Sequence, residues 1–256
     1  MDLFRFIFIA SMKALGLLFL GLLATKAVEG LRPHESHDRR RTPFQWGLAG
    51  VILALVALGA ITIGYDVAAE FYARAGERGL AERDLARAYT HARQAVEFRP
   101  GNLRYWQVLS TVKFTQKHYA SVIADGPALQ ALGGGNLSEP DAYRLSVVHY
   151  LVGEYDQVHP LTRRLIRDNR FYAAPHVLEG YTLLAESKHD EATKVFLEVL
   201  RMFPEHQSAV EGLAHAQYLG GNPGAAISVL NQTAKYKFPP EVRNRFEALK
   251  GLYGLE

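Results

Sequence analysis

His34-Glu35-Ser36-His37-Asp38 is the densest run of side chains that could do chemistry in this chain, and four of its five residues are of types that ligate divalent metals. Metal capture needs such ligands held in a fixed geometry. This run lies in a polar stretch beside Arg39, Arg40 and Arg41, whose cations oppose a metal ion, so no metal site is expected there. The chain carries no G-x-x-x-x-G-K-[ST] phosphate loop, no H-E-x-x-H zinc motif, no G-x-S-x-G nucleophile elbow and no cysteine. The other histidines are scattered one to a helix or turn. Arg163, Arg167 and Arg170 fall on one face of an expected helix and could meet an anionic surface, although a solvated exterior is the plainer reading. With no cofactor and no small-molecule substrate implied, the expected role is binding rather than catalysis.

The elements that would position a binding surface are visible as a recurrence. Ala88, Ala92, Ala95 and Pro100, separated by 4, 3 and 5, put three small residues on one face of a helix that ends at the proline. The same frame returns as Ala192, Phe196, Val199 and Pro204, then as Ala226, Leu230, Thr233 and Phe238 ahead of Pro239. A companion helix carries Tyr72 and Gly76, Trp106 and Leu109, Ala142 and Leu145, and Val210, Leu213 and Ala214. Turns intervene at 153–156, 187–190 and 221–224. This resembles the tetratricopeptide repeat, over roughly residues 69–240, with frames opening near Ala69, Leu103, Glu139, Ala173 and Gln207 and a two-residue slip before Glu139.

The resemblance implies an all-α fold, an α-solenoid of about five helical hairpins. One hairpin of this size cannot bury its apolar face alone, so neighbours must stack and share a core. The segment 241–256 is expected to close the array, at 66–240, as an amphipathic capping helix. Two breaks are expected: Gly126-Pro127 should shorten or split the second helix of the second unit, and Pro160 should kink or delay that of the third.

Ahead of the repeats, Trp46 to Tyr65 is twenty residues without a charge and with an aromatic at each end, long enough for the roughly 30 Å hydrocarbon core of a bilayer. Phe6 to Thr25 is nearly as apolar but contains Lys13, which either faces a polar partner or snorkels to the nearer interface. Residues 1–25 are read as a first transmembrane helix, a cleaved signal peptide being the alternative, and 46–65 as a second. The loop 26–45 holds Lys26, Arg32, Arg39, Arg40 and Arg41. Such a loop stays cytoplasmic, which gives a two-pass protein of a bacterial inner membrane with a periplasmic array; the alternative is a cytoplasmic array. A stripe of small residues, Gly47, Gly50, Ala54, Ala57 and Gly64, would let the second span pack against the first or against another membrane protein. Neither Pro nor internal Gly interrupts 66–75, so this span is expected to run straight into the first repeat helix.

Seven of the 29 basic and four of the 26 acidic residues precede Trp46, so the whole net charge of +3 belongs to that leader and the array is neutral. No nucleic-acid partner is implied, because that would need a basic stripe. In tetratricopeptide proteins the first helices line a concave groove. Carried onto this chain, the groove positions are Arg104, Gln107, Thr111 and Phe114; Tyr143, Val147 and Tyr150; Val177, Tyr181 and Leu184; and Glu211, His215 and Tyr218. The set is rich in tyrosine, which suits capture of a protein partner, although some of these rings are expected to pack between helices. Apart from Arg104 it lacks the basic residues with which family members clamp acidic peptide ends. The function expected is a membrane-anchored scaffold for protein partners of the membrane or cell envelope, in assembly or export of an envelope component. A structural subunit of a larger membrane enzyme or transport complex is the alternative, and an enzyme with an unrecognised site is a third.

Overall fold

The computed structural model describes residues 43–254. The expected first span, Lys13 within it, and the His34 to Asp38 run lie outside the described residues. Eleven α-helices are described: α1 (Pro43–Ala81), α2 (Leu85–Phe98), α3 (Leu103–Thr115), α4 (Tyr119–Leu132), α5 (Glu139–Val152), α6 (Tyr155–Asp168), α7 (Ala173–Ala185), α8 (His189–Met202), α9 (Gln207–Leu219), α10 (Pro223–Gln232) and α11 (Pro240–Tyr253). No strand occurs among the described residues. The chain divides into two compact units, the first ending at Val112 and the second beginning at Lys113.

In the first unit α1 is a single helix of 39 residues, so the apolar run and the first repeat helix are one rod, as the absence of breakers at 66–75 predicts. It starts at Pro43, three residues ahead of the expected span. This one helix is long and apolar enough to cross a membrane, and its apolar window is uncovered by the rest of the chain. Val51, Leu53, Leu55, Leu58 and Ile61 are each more than half exposed. Further along, α2 folds back on α1 through small residues. A Cβ added to Gly79 would lie 2.9 Å from the backbone nitrogen of Ala88, and one on Gly76 would lie 3.2 Å from that of Ala92. Ala69, Ala73, Ala88, Ala92 and Ala95 are completely buried there, with Tyr105, Leu109 and Val112 of α3 in the same core.

In the second unit, α5 to α10 form three successive antiparallel hairpins in which the first helices α5, α7 and α9 touch in order and α11 follows α9 and α10. The buried Phe196 ring of α8 is pressed against Gly180 of α7 and Gly212 of α9; a Cβ at either glycine would come within 2.6 Å of the ring. Its contacts unite Leu183, Val199, Ala209 and Leu213 into one core. A second core joins Val210, Ala214, Ala226 and Leu230 to Val242, Phe246 and Tyr253 of α11.

The expected shortening or splitting of α4 and the expected delay of α6 are corrected. α4 runs through Pro127 and α6 through Pro160 without interruption. Each proline sits on an exposed position of its helix. Arg170 lies beyond the end of α6 at Asp168, so the three arginines do not form one helical row.

The repeat is written most regularly in the backbone of the hairpin turns. Arg83, Lys117, Gly153, Ser187 and Gly221 all have φ between 60° and 83°, at separations of 34, 36, 34 and 34. In each turn the next amide donates to the carbonyl five residues earlier, Asp84 to Gly79, His118 to Lys113, Glu154 to His149, Lys188 to Leu183 and Asn222 to Gln217, at 2.8–2.9 Å. These are Schellman ends. The slip has a local origin: the connector between α4 and α5 holds six residues, 133–138, against four in 99–102, 169–172 and 203–206. A left-handed non-glycine residue costs roughly 1–2 kcal/mol, part of which glycine returns as chain entropy. Ser187→Gly should therefore stabilise the protein by about 0.5–1 kcal/mol in thermal or urea unfolding, and Gly221→Ala should destabilise it by about 1 kcal/mol. Equal effects from the two substitutions would contradict the turn assignment.

Candidate functional site

Among the described residues no group of three or more His, Asp or Glu is placed to hold a metal. In the second unit a polar network centres on His159. His159 of α6 presents Nδ1 to Glu179 Oε1 of α7 at 2.9 Å and Nε2 to Oε2 of Glu186, just past the end of α7, at 3.1 Å, so the two carboxylates stand at separate ring nitrogens rather than converging on one point. Thr162 Oγ1 donates to the other Glu179 oxygen at 2.5 Å. This network ties α6 to α7.

In the first unit the predicted groove residue Arg104 is not an available cation. Its guanidinium donates to both oxygens of Glu70 at 3.1 Å and to both of Glu77 at 2.9 and 3.1 Å. Glu70, 8% exposed, also accepts from Arg74 Nε at 2.7 Å and from the Tyr105 hydroxyl at 3.2 Å. Burial works to raise the Glu70 carboxyl, but hydrogen bonds from Arg74 and Arg104, with their charges, outweigh it and hold its pKa below the ordinary value. Burial first and the Glu70 carboxylate second push Tyr105 up to about 12. Gln107 and Thr111 lie half-buried on α3, and Thr111 Oγ1 donates to the Gln107 carbonyl at 2.7 Å. Along α1, Val67, Glu70, Phe71, Arg74, Glu77 and Arg78 line a shallow recess of about 710 Å³.

In the second unit the predicted positions fall on consecutive first helices, and most of the rings have neighbours. Phe114 packs beside Tyr119 at 6.4 Å. On α5, Tyr143, Val147 and Tyr150 are half-buried, with Tyr143 5.6 Å from Tyr172 and Tyr150 6.0 Å from Tyr155 between ring centroids. On α7, Val177, Tyr181 and Leu184 all lean on the Phe196 core. Tyr181 meets Phe196 edge-on at 5.3 Å and its hydroxyl donates to the Ser208 carbonyl at 3.0 Å, so it is chiefly a packing residue. Burial, reinforced by Glu211, pushes Tyr181 up to about 12. Glu211 accepts from Gln207 at 3.1 Å and from Arg245 at 3.2 Å. His215 is exposed at its edge and its Nδ1 lies 2.6 Å from the Tyr253 hydroxyl, while Tyr218 stacks on Tyr253 at 4.5 Å. Arg245 and Tyr253 thus reach the α9 positions from α11. Sequence reasoning saw that helix as a cover for the core and missed this second contact, although its arginine and tyrosine lie eight residues apart, close to two helical turns.

What this arrangement offers a ligand is ring faces, phenol hydroxyls and aliphatic edges, with each charge at a groove position already paired. It holds no activated nucleophile.

The comparisons agree with that reading. Residues 183–244 match the tetratricopeptide repeat family. The described helices superpose on solved structures at low sequence identity. MamA is 17% identical, with 67% of this chain and 97% of that one covered and a TM-score of 0.59. YrrB, described as a TPR protein with an unusual peptide-binding site, is 16% identical over 69% and 90% with a TM-score of 0.57. Pseudomonas aeruginosa pilF is 18% identical over 75% and 91% with a TM-score of 0.56. The helices take the tetratricopeptide-repeat fold. No curated protein matches the sequence. Proteins of this fold generally act as scaffolds for protein–protein interaction rather than as catalysts.

Because the folded Glu70 pKa is depressed, its contribution to stability is present above the ordinary carboxylate range and is lost as pH falls through the folded value. Glu70→Gln should therefore lower the melting temperature at pH 7, and the gap to the unsubstituted protein should close as the pH is taken below the ordinary value of 4.5. A gap that stays constant from neutral to acid pH would show that the Glu70 charge does not hold this network.

Proposed function

We propose that this chain is a membrane-anchored scaffold whose tetratricopeptide hairpins hold protein partners beside a bilayer, in the assembly or export of a cell-envelope component. The observation that carries the reading is α1: one uninterrupted helix provides an uncovered apolar stretch at its start and half of the first repeat hairpin at its end. A helix that was only a repeat element would not leave Leu53, Leu55 and Leu58 uncovered. The basic residues of the 26–45 loop support a cytoplasmic loop and a periplasmic array in a bacterial inner membrane.

For the partner surface, the second unit supports a face formed by α5 and the adjoining rings, where Val147 and Tyr150 are half-buried without serving the Phe196 core. The peptide-binding site named for YrrB supports the same mode, capture of a peptide segment. Tyr181 and Tyr218 belong to the packing of this face more than to its contact layer. Gly50, Ala54, Ala57 and Gly64 are exposed along α1 and leave a small-residue face for a membrane partner, which also suits a constitutive subunit of a larger complex.

A photo-crosslinking residue at Val147 or Tyr150 should yield discrete heavier adducts in membranes, and one at the exposed Arg167 should not. Val147→Glu combined with Tyr150→Ala should cut recovery of the same adduct partner in a detergent pull-down at least tenfold while helicity by circular dichroism is retained. Undiminished recovery would remove α5 from the binding face. Recovery of the partner in fixed stoichiometry through every purification step would favour the constitutive subunit.

A further inference from the structure

The second half of the first hairpin ends beside the last turn of the apolar stretch. α2 runs back along α1, and the Phe98 ring is set between Tyr65 at 5.7 Å and Tyr72, on which it stacks at 5.6 Å. The next side chain reaches further. Arg99 Nη2 donates to the Thr62 carbonyl at 2.6 Å, and its Nε lies 2.7 Å from Asp66 Oδ1 as an ion contact rather than an aligned hydrogen bond. Thr62 and Asp66 are the first hydroxyl and the first charge after Trp46. Arg99 therefore contacts a backbone carbonyl and a carboxylate on the turn of α1 where the apolar stretch ends. Beyond it the chain turns at 99–102, with the Trp106 indole donating to the Pro100 carbonyl at 2.7 Å. Tyr65, beside Phe98, and Trp106, beyond the turn, are of the residue types enriched at the water–lipid boundary.

Resting on the membrane-anchored reading, we propose that the α2–α3 turn, residues 99–102, is seated in the lipid headgroup layer, and that the hydrocarbon boundary crosses α1 between Ile61 and Asp66. Length and exposure decide this placement. From Pro43 to Ile61 a helix rising 1.5 Å per residue covers about 28 Å, close to the roughly 30 Å hydrocarbon core. A boundary a turn or more further along α1 would draw Asp66, Arg99 and Glu70 into hydrocarbon. One a turn or more earlier would leave Leu58 and Ile61, 58% and 55% exposed, in water. With the boundary at Thr62 the guanidinium of Arg99, one-third exposed, sits at phosphate depth. The surface is thus a lipid-headgroup contact supplied by the repeat itself, not by the anchor alone.

The full chain has no cysteine, so single spin labels can be placed at will. Labels at Leu55→Cys, Gly101→Cys and Glu82→Cys are compared in nanodiscs of phosphatidylcholine and phosphatidylglycerol, using collision with oxygen against collision with a water-soluble nickel chelate as the depth readout. A Cβ at Gly101 meets no neighbour within 4 Å, and Leu55 and Glu82 are exposed, so all three are expected to fold. The label at 55 should report hydrocarbon, the label at 101 headgroup depth, and the label at 82, just past the end of α1 and some 30 Å from Thr62, bulk water. A label at 101 that matches 82, or matches 55, while 55 reports hydrocarbon overturns the seat and leaves the anchor standing. A label at 55 that reports water overturns both.

Discussion

The first unit depends on how closely two helix backbones can approach. α1 and α2 lie side by side because Gly76 and Gly79 face Ala88 and Ala92 with no side chain between them; a single methyl at Gly79 would fall within 3.0 Å of the Ala88 backbone. That approach fixes where α2 lies along α1, and hence sets Phe98 against Tyr65 and Arg99 against Thr62 and Asp66. The second unit obeys the same constraint in a different form, since the Phe196 ring occupies the space that Gly180 and Gly212 leave open. In both units the core is small and shared between helices, so added volume at these glycines would be paid for by helix separation across the whole hairpin.

Much of this was legible in the sequence because the constraint is periodic. The alanines at 88, 92 and 95, the phenylalanine at 196 and the closing prolines recur because each hairpin meets its neighbour in the same way. The slip was visible too, and the glycine-rich connector at 133–138 accounts for it. Pro127 and Pro160 stand on exposed faces of helices that continue through them, and a proline in the sequence does not by itself show where a helix held by tertiary packing will end. Arg104 was located at a groove position, but its partners Glu70 and Glu77 lie 34 and 27 residues earlier, and pairing at that distance leaves no local signal. Tyr253 escaped for a related reason. One helix covers a core with Val242 and Phe246 while its tyrosine reaches His215 and Tyr218 on α9.

The electrostatics fit a scaffold. The array is neutral, and the charges at groove positions are satisfied inside their own unit, Arg104 by two glutamates and Glu211 by Arg245. Buried tyrosines such as Tyr181 and Tyr253, both pushed up to about 12 with burial as the main cause, stay uncharged phenols across the physiological range. On the proposed binding face, specificity would come from shape and from hydroxyl hydrogen bonds, with little long-range charge steering. A helix that continues from the apolar stretch into the first hairpin would hold that hairpin at a set distance from a bilayer, with none of the slack of a flexible linker.

The close seam between α1 and α2 is tested most directly by disulfide trapping in the cysteine-free chain. The Cβ of Gly76→Cys would lie 3.3 Å from that of Ala92→Cys, just under the roughly 3.5–4.5 Å range of disulfides, so a small shift of the helices brings the pair into range. Mild oxidation of the membrane-reconstituted double variant should close this bridge within the chain in nearly all molecules, whereas Gly76→Cys with Arg93→Cys, on the exposed side of α2, should stay reduced. Equal closure of both pairs, or failure of the 76–92 pair to close in a variant that keeps its helicity and melting temperature, would contradict a seam in which the two backbones meet.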